Sequence, residues 1–131
     1  MNQTEKTKAF ILRYFSALYG AKKTESLLRE YISDQKLIDH ALYFDRMFPN
    51  AKLEMEEMIV EKDKAFLKVR LKGIHAGEVD GIPPTYKEVN VPFALSYTIK
   101  NDKIVDFWSI ADQKEIFRQL GLDKEMVKVD G

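Results

Sequence analysis

Val89-Asn90-Val91-Pro92-Phe93-Ala94-Leu95-Ser96-Tyr97-Thr98-Ile99 puts an apolar residue at every odd position from 89 to 99. Period two over that length reads as one long strand with a single buried face. On its C-terminal side Asn101-Asp102 turns the chain into a last strand, Lys103 to Ala111. Alternation there puts Ile104, Trp108 and Ile110 on one face and Val105 and Phe107 on the other. A strand with large apolar groups on both faces is expected to meet helices on one side and a partner subunit on the other, which makes a homodimer the expected assembly. On the N-terminal side lies a loop, Gly77 to Lys87, centred on Gly81-Ile82-Pro83-Pro84-Thr85 and read as a stiff connector or lid. Before it, Leu53 to Val60, the charged turn Glu61-Lys62-Asp63-Lys64, and Ala65 to Lys72 read as a hairpin. Ala65, Leu67, Val69 and Leu71 share a face, and unbroken alternation carries His75 onto it.

Ahead of residue 52 the period is near four. Phe10, Ile11, Tyr14, Phe15 and Leu18 recur at helical spacing, with Gly20 as a stop. Thr24 is placed to cap a short helix carrying Leu27, Leu28, Tyr31 and Ile32. Ser33-Asp34 opens a third, whose stripe Leu37, Ala41, Phe44, Phe48 ends at Pro49, with His40 on or beside it. Gln113 to Leu120 is a final helical turn or two closed by Gly121, and the tail from Asp123 shows little patterning. Helices followed by a curved antiparallel sheet predict an α+β cone, in which the helices plug the sheet and leave an apolar pocket at the mouth.

The 131 residues and 15.3 kDa fit one domain, 1–131, with a core of its own. Twenty-one basic residues balance 21 acidic ones, and no basic cluster exceeds Lys22-Lys23, so neither a nucleic-acid groove nor an anionic membrane surface is expected as partner. Without cysteine there is no disulfide, thiolate site or Cys nucleophile. Two histidines in neither His-x-His nor His-x-x-x-His spacing point away from zinc. The polar start Met1 to Lys6 and the short apolar run broken by Arg13 read as neither secretion signal nor membrane span, so the cytoplasm is the expected location.

Several motifs, taken together, carry a family resemblance. Gly73-Ile74-His75-Ala76-Gly77, Gly81-Ile82-Pro83-Pro84-Thr85, Lys103-Ile104-Val105-Asp106-Phe107-Trp108 through Asp112, and Gln119-Leu120-Gly121 resemble the SnoaL-like polyketide cyclase family, as does His40 followed by Phe48-Pro49-Asn50. The resemblance covers roughly residues 8 to 122. It implies the NTF2-like (cystatin-like) α+β cone and a cofactor-free, metal-free intramolecular aldol addition on a small apolar carbonyl compound. In such chemistry the enzyme holds the chain folded and shuttles one proton. The family's acid/base carboxylate matches Asp112, with His75 as partner, and His40, Trp108, Tyr14 and Tyr97 are expected to bind substrate.

Each residue also has a plainer structural role. Asp112 stands three residues before Glu115, a capping-box spacing, and a cap's carboxyl is held ionised, the opposite of what a general acid needs. His75 could be a rim residue, His40 a core histidine, and Trp108 and Tyr14 core residues. Two classes therefore stand open: a cofactor-free enzyme on a small carbonyl compound (aldol cyclase, isomerase, dehydratase or hydrolase), and a non-catalytic binding or assembly domain. An Asp–His pair across a pocket would favour the first, and Asp112 committed to helix N–H groups the second.

Overall fold

The computed structural model describes residues 1–122; the tail from Asp123 to Gly131 lies outside the described residues. The elements run α1 (Gln3–Leu18), α2 (Glu25–Arg29), α3 (Gln35–Met47), β1 (Lys52–Glu61), β2 (Lys64–Ile74), β3 (Glu88–Lys100), β4 (Lys103–Ala111) and α4 (Gln113–Leu120). Short polar side chains start each helix. Asn2, Thr24, Asp34 and Asp112 accept backbone N–H bonds from Glu5, Leu27, Leu37 and Glu115 respectively.

The strands form one antiparallel sheet in the order β1-β2-β3-β4, so each strand pairs with its neighbour in the chain. Asn101 and Asp102 both take positive φ, 51° and 56°, the type I′ geometry whose twist matches the flanking strands. Asn and Asp tolerate that conformation better than most residues. The helices cover one face of the sheet, as the sequence predicts, and the core forms between them. Ile11, Leu28, Ile38, Phe48, Val69, Val91 and Ile104 are fully buried there. Each such side chain contributes roughly 1.5–3 kcal/mol on leaving water.

Three sets of bonds fix the helices to the sheet. Thr7 Oγ1 donates to the Lys62 carbonyl at 2.6 Å, and the Lys62 N–H donates to Thr4 Oγ1, which pins α1 to the β1–β2 turn. The link between α2 and α3 lies along β4, where the Ile104 N–H donates to the Tyr31 carbonyl and the Ser33 N–H to the Ile104 carbonyl. At the end of α3, the N–H groups of Ala76 and Gly77 both donate to the Met47 carbonyl. Gly77 has no alternative there, because a Cβ would fall 1.6 Å from the Arg46 carbonyl oxygen.

One expectation about faces fails. Ile104 is fully buried, whereas Trp108 and Ile110 are 53% and 59% exposed, so these three do not share a face. The cause is a β-bulge: Thr98 pairs with Asp106 and Ile99 with Ile104, leaving Val105 without a partner. The extra residue inverts the alternation, so Ile104 joins Phe107 on the helix side. Glu56 is a similar extra residue in β1, keeping Met55 and Met58 both against the core.

Candidate active site

An apolar cavity of about 110 Å³ opens between α1, α3 and the concave face of the sheet. One stripe of α3 supplies Leu37, His40, Ala41, Phe44 and Phe48 at spacings of three and four. Alternate residues of β3, Phe93, Leu95 and Tyr97, face them, with Phe107 and Ser109 from β4 and Tyr14 and Leu18 from α1. Lys23 and Asp45 stand on the wall as well.

Few polar groups enter this lining. His40 is held between aromatic rings, 4.8 Å from Phe44 and 5.7 Å from Phe107 between centroids. Burial disfavours its cation and moves its pKa below 6.5, so the ring is neutral at pH 7. Tyr14 and Tyr97 are buried with rings edge to face at 6.0 Å, and their hydroxyls share a hydrogen bond. Burial raises both phenols, so both keep their protons. One proton is used between the two oxygens, which leaves the other O–H to donate elsewhere. Lys23 Nζ donates to the Ala51 carbonyl at 2.6 Å, and burial lowers its pKa against the opposing field of Asp45.

Of the residues expected at the site, the fold brings Tyr14, His40 and Tyr97 together around the cavity. It leaves three outside. Trp108 is on the outer face of the sheet, and its expected place in the pocket is corrected by the bulge that turns it away. Asp112 is exposed and not on the cavity wall; its carboxylate caps α4, accepting the Glu115 N–H at 3.0 Å. His75 does lie on the inner face, 1% exposed, but behind Phe48, whose ring is 5.9 Å away and forms the wall between. Its Nδ1 accepts from the Thr85 N–H at 3.1 Å, which puts the proton of the neutral ring on Nε2. That Nε2 is buried with no bonding partner. Burial lowers the pKa of His75, while the Gly77 carbonyl pulls the other way. The expected Asp112–His75 pair across the pocket is therefore not what lines it. Lys23, Asp45 and Ser109 line the cavity without having been read from the sequence. Ser109 could have been found from its parity with Phe107, and Asp45 from its place four residues after Ala41 on α3; Lys23, between helices, carries no periodic signal.

Among the described residues, no group of three or more His, Asp or Glu could hold a metal ion, and no helix is long and apolar enough to cross a membrane.

A helix-filled antiparallel cone with a side pocket defines the class, and the comparisons give the family. The SnoaL-like polyketide cyclase model matches residues 10–120, and the chain belongs to that family. Among solved structures, it is similar to the "Putative SnoaL-like polyketide cyclase" of Jannaschia sp. CCS1, at 19% identity over 94% of this chain and 96% of that one, with a TM-score of 0.79. It is also similar to a SnoaL-like polyketide cyclase of Agrobacterium tumefaciens, at 17% identity, 88% and 98% coverage and a TM-score of 0.70. AclR, "a putative hydroxylase" of Streptomyces galilaeus, matches at 19% identity, 90% and 97% coverage and a TM-score of 0.70. At such identities the likeness speaks for the fold. No curated protein matches the chain.

Proposed function

We propose that this protein is a cofactor-free enzyme that moves a proton next to the carbonyl group of a small apolar compound, in an intramolecular aldol cyclisation or a related isomerisation. The observation that carries this reading is His40, a neutral imidazole in an apolar cavity within the same lining as a protonated tyrosine pair. His40 removes a proton from the carbon between two carbonyls, and the enolate oxygen takes a hydrogen bond from the free tyrosine hydroxyl. The enolate carbon then attacks a further carbonyl farther along the same substrate, whose C=O π pair moves to oxygen as the C–C bond forms, and the imidazolium returns its proton to the new alkoxide. At about 110 Å³ the cavity is smaller than the roughly 300–1,000 Å³ pockets that hold drug-sized ligands, which favours a substrate no larger than about one ring.

The test is deuterium uptake, followed by NMR, at the central carbon of small 1,3-dicarbonyl compounds. His40→Asn should slow protein-dependent exchange by about 10²–10⁴ while binding persists. The wild-type rate should fall as pH drops below 6.5, because the base form is the active one and burial lowers its pKa. An unchanged rate in His40→Asn removes His40 from the mechanism.

A second reading, a non-catalytic ligand-binding domain, is favoured by the commitment of Asp112 to its helix. It requires ligands to bind with no exchange above the protein-free rate. Under either reading we place the protein in the cytoplasm, as a homodimer joined through the outer face of its sheet. Ile59, Phe66, Ser96 and Trp108 are in register across all four strands there, and three of them are large exposed apolar groups. The flanking ion pairs Arg70–Glu56 and Lys72–Glu54 give the face both signs, as a self-complementary surface requires.

A further inference from the structure

Lys23 stands where the apolar cavity meets a surface groove. It lines the cavity beside Asp45, and it lines the groove with Lys22, Thr24 and Arg46. Among the described residues it is the one lysine or arginine on the cavity wall. Its half-buried side chain is held from the backbone side by the bond from Nζ to the Ala51 carbonyl, so the amine is anchored at the mouth. An exposed lysine is a solvated ammonium with no lone pair to offer; a partly desolvated one keeps a larger share of free amine. Burial acts on Lys23 in that direction.

We propose that Lys23 captures the carbonyl carbon of the cavity's ligand as an imine, a step that rests on the cavity taking a small carbonyl compound. The neutral Nζ attacks the carbonyl carbon, and a C–N bond forms as the C=O π pair moves to oxygen. A proton passes from nitrogen to that oxygen and gives a carbinolamine. Its hydroxyl then leaves with a further proton as water, and the nitrogen lone pair closes the C=N bond. Asp45, on the same wall, is placed to carry these protons, and the sequence consumes no oxidant or reductant. In the protonated imine the neighbouring C–H is more acidic than in the parent carbonyl, which gives His40 an easier proton to remove.

The experiment exposes the full chain to benzaldehyde with cyanoborohydride at pH 7 and locates the N-benzyl group by peptide mass spectrometry. The exposed neighbour Lys22 is the internal control. Lys23 should be labelled at least about tenfold faster than Lys22, a small part of the advantage that a carbonyl held beside the attacking amine can supply. Benzyl alcohol, the same shape without a carbonyl, should slow labelling of Lys23 and not of Lys22. Lys23→Arg keeps the charge and a donor for Ala51; it should lose the label at 23 and keep the melting temperature. If benzyl alcohol shifts the His40 NMR signals but Lys23 is labelled no faster than Lys22, capture by Lys23 is wrong and the cavity reading stands. If benzyl alcohol does not bind and the two lysines label alike, both fail.

Discussion

The carboxylate of Asp112 takes the Glu115 N–H at 3.0 Å at the start of α4, where the helix dipole also favours a negative charge. Asn caps helices about as well as Asp, so Asp112→Asn should leave both melting temperature and turnover close to wild type, whereas Asp112→Ala should cost about 1 kcal/mol. Denaturant titration and the exchange assay measure the two. A large loss of turnover in Asp112→Asn alone would return the acid/base role to this residue. Capping was readable in advance from the spacing of Asp112 and Glu115, because it is a local pattern. Tyr14, Tyr97 and His40 were readable too, since each sits at a position whose period points inward. Lys23 was not, because it lies between helices, where no periodicity says which way a side chain turns.

At the level of elements, one residue decides which side of β4 meets the ligand. The bulge at Val105 puts Phe107 and Ser109 on the cavity and sends Trp108 outward. Deleting Val105 would bring Ile104, Asp106 and Phe107 opposite Ile99, Thr98 and Tyr97 in strict alternation, with Ile104 and Phe107 both still inward. The deletion should therefore cost well under the roughly 2–5 kcal/mol of losing a buried Ile or Phe from the core, which denaturant unfolding measures. A loss of that full size would mean that Val105 is not the residue that sets the register. This is also where the sequence misleads: Val105 to Ile110 is apolar on both parities, so nothing local marks the slip. The neighbouring strand shows the contrast. From Val89 to Ile99 the alternation is unbroken, and the structure follows it residue by residue.

For the whole molecule, the unmatched surface is the outer side of the sheet, where Ile59, Phe66, Trp108 and Ile110 are each more than half exposed. Contiguous apolar area of that kind is rare on soluble monomers, and a stable pair needs roughly 800 Å² from each partner. Light scattering at micromolar concentration should give twice 15.3 kDa, and Trp108→Glu with Ile110→Lys should return it to 15.3 kDa. A wild-type reading of 15.3 kDa would rule the dimer out. The order of the strands has a consequence for how the chain comes into being. Because β1 to β4 pair in the order in which they are made, the sheet can grow one hairpin at a time as the ribosome releases it. The link after α2, however, closes on Ile104, some 70 positions downstream. Until that residue has emerged, Ile32 lacks its final berth, and the front of the protein waits for its back.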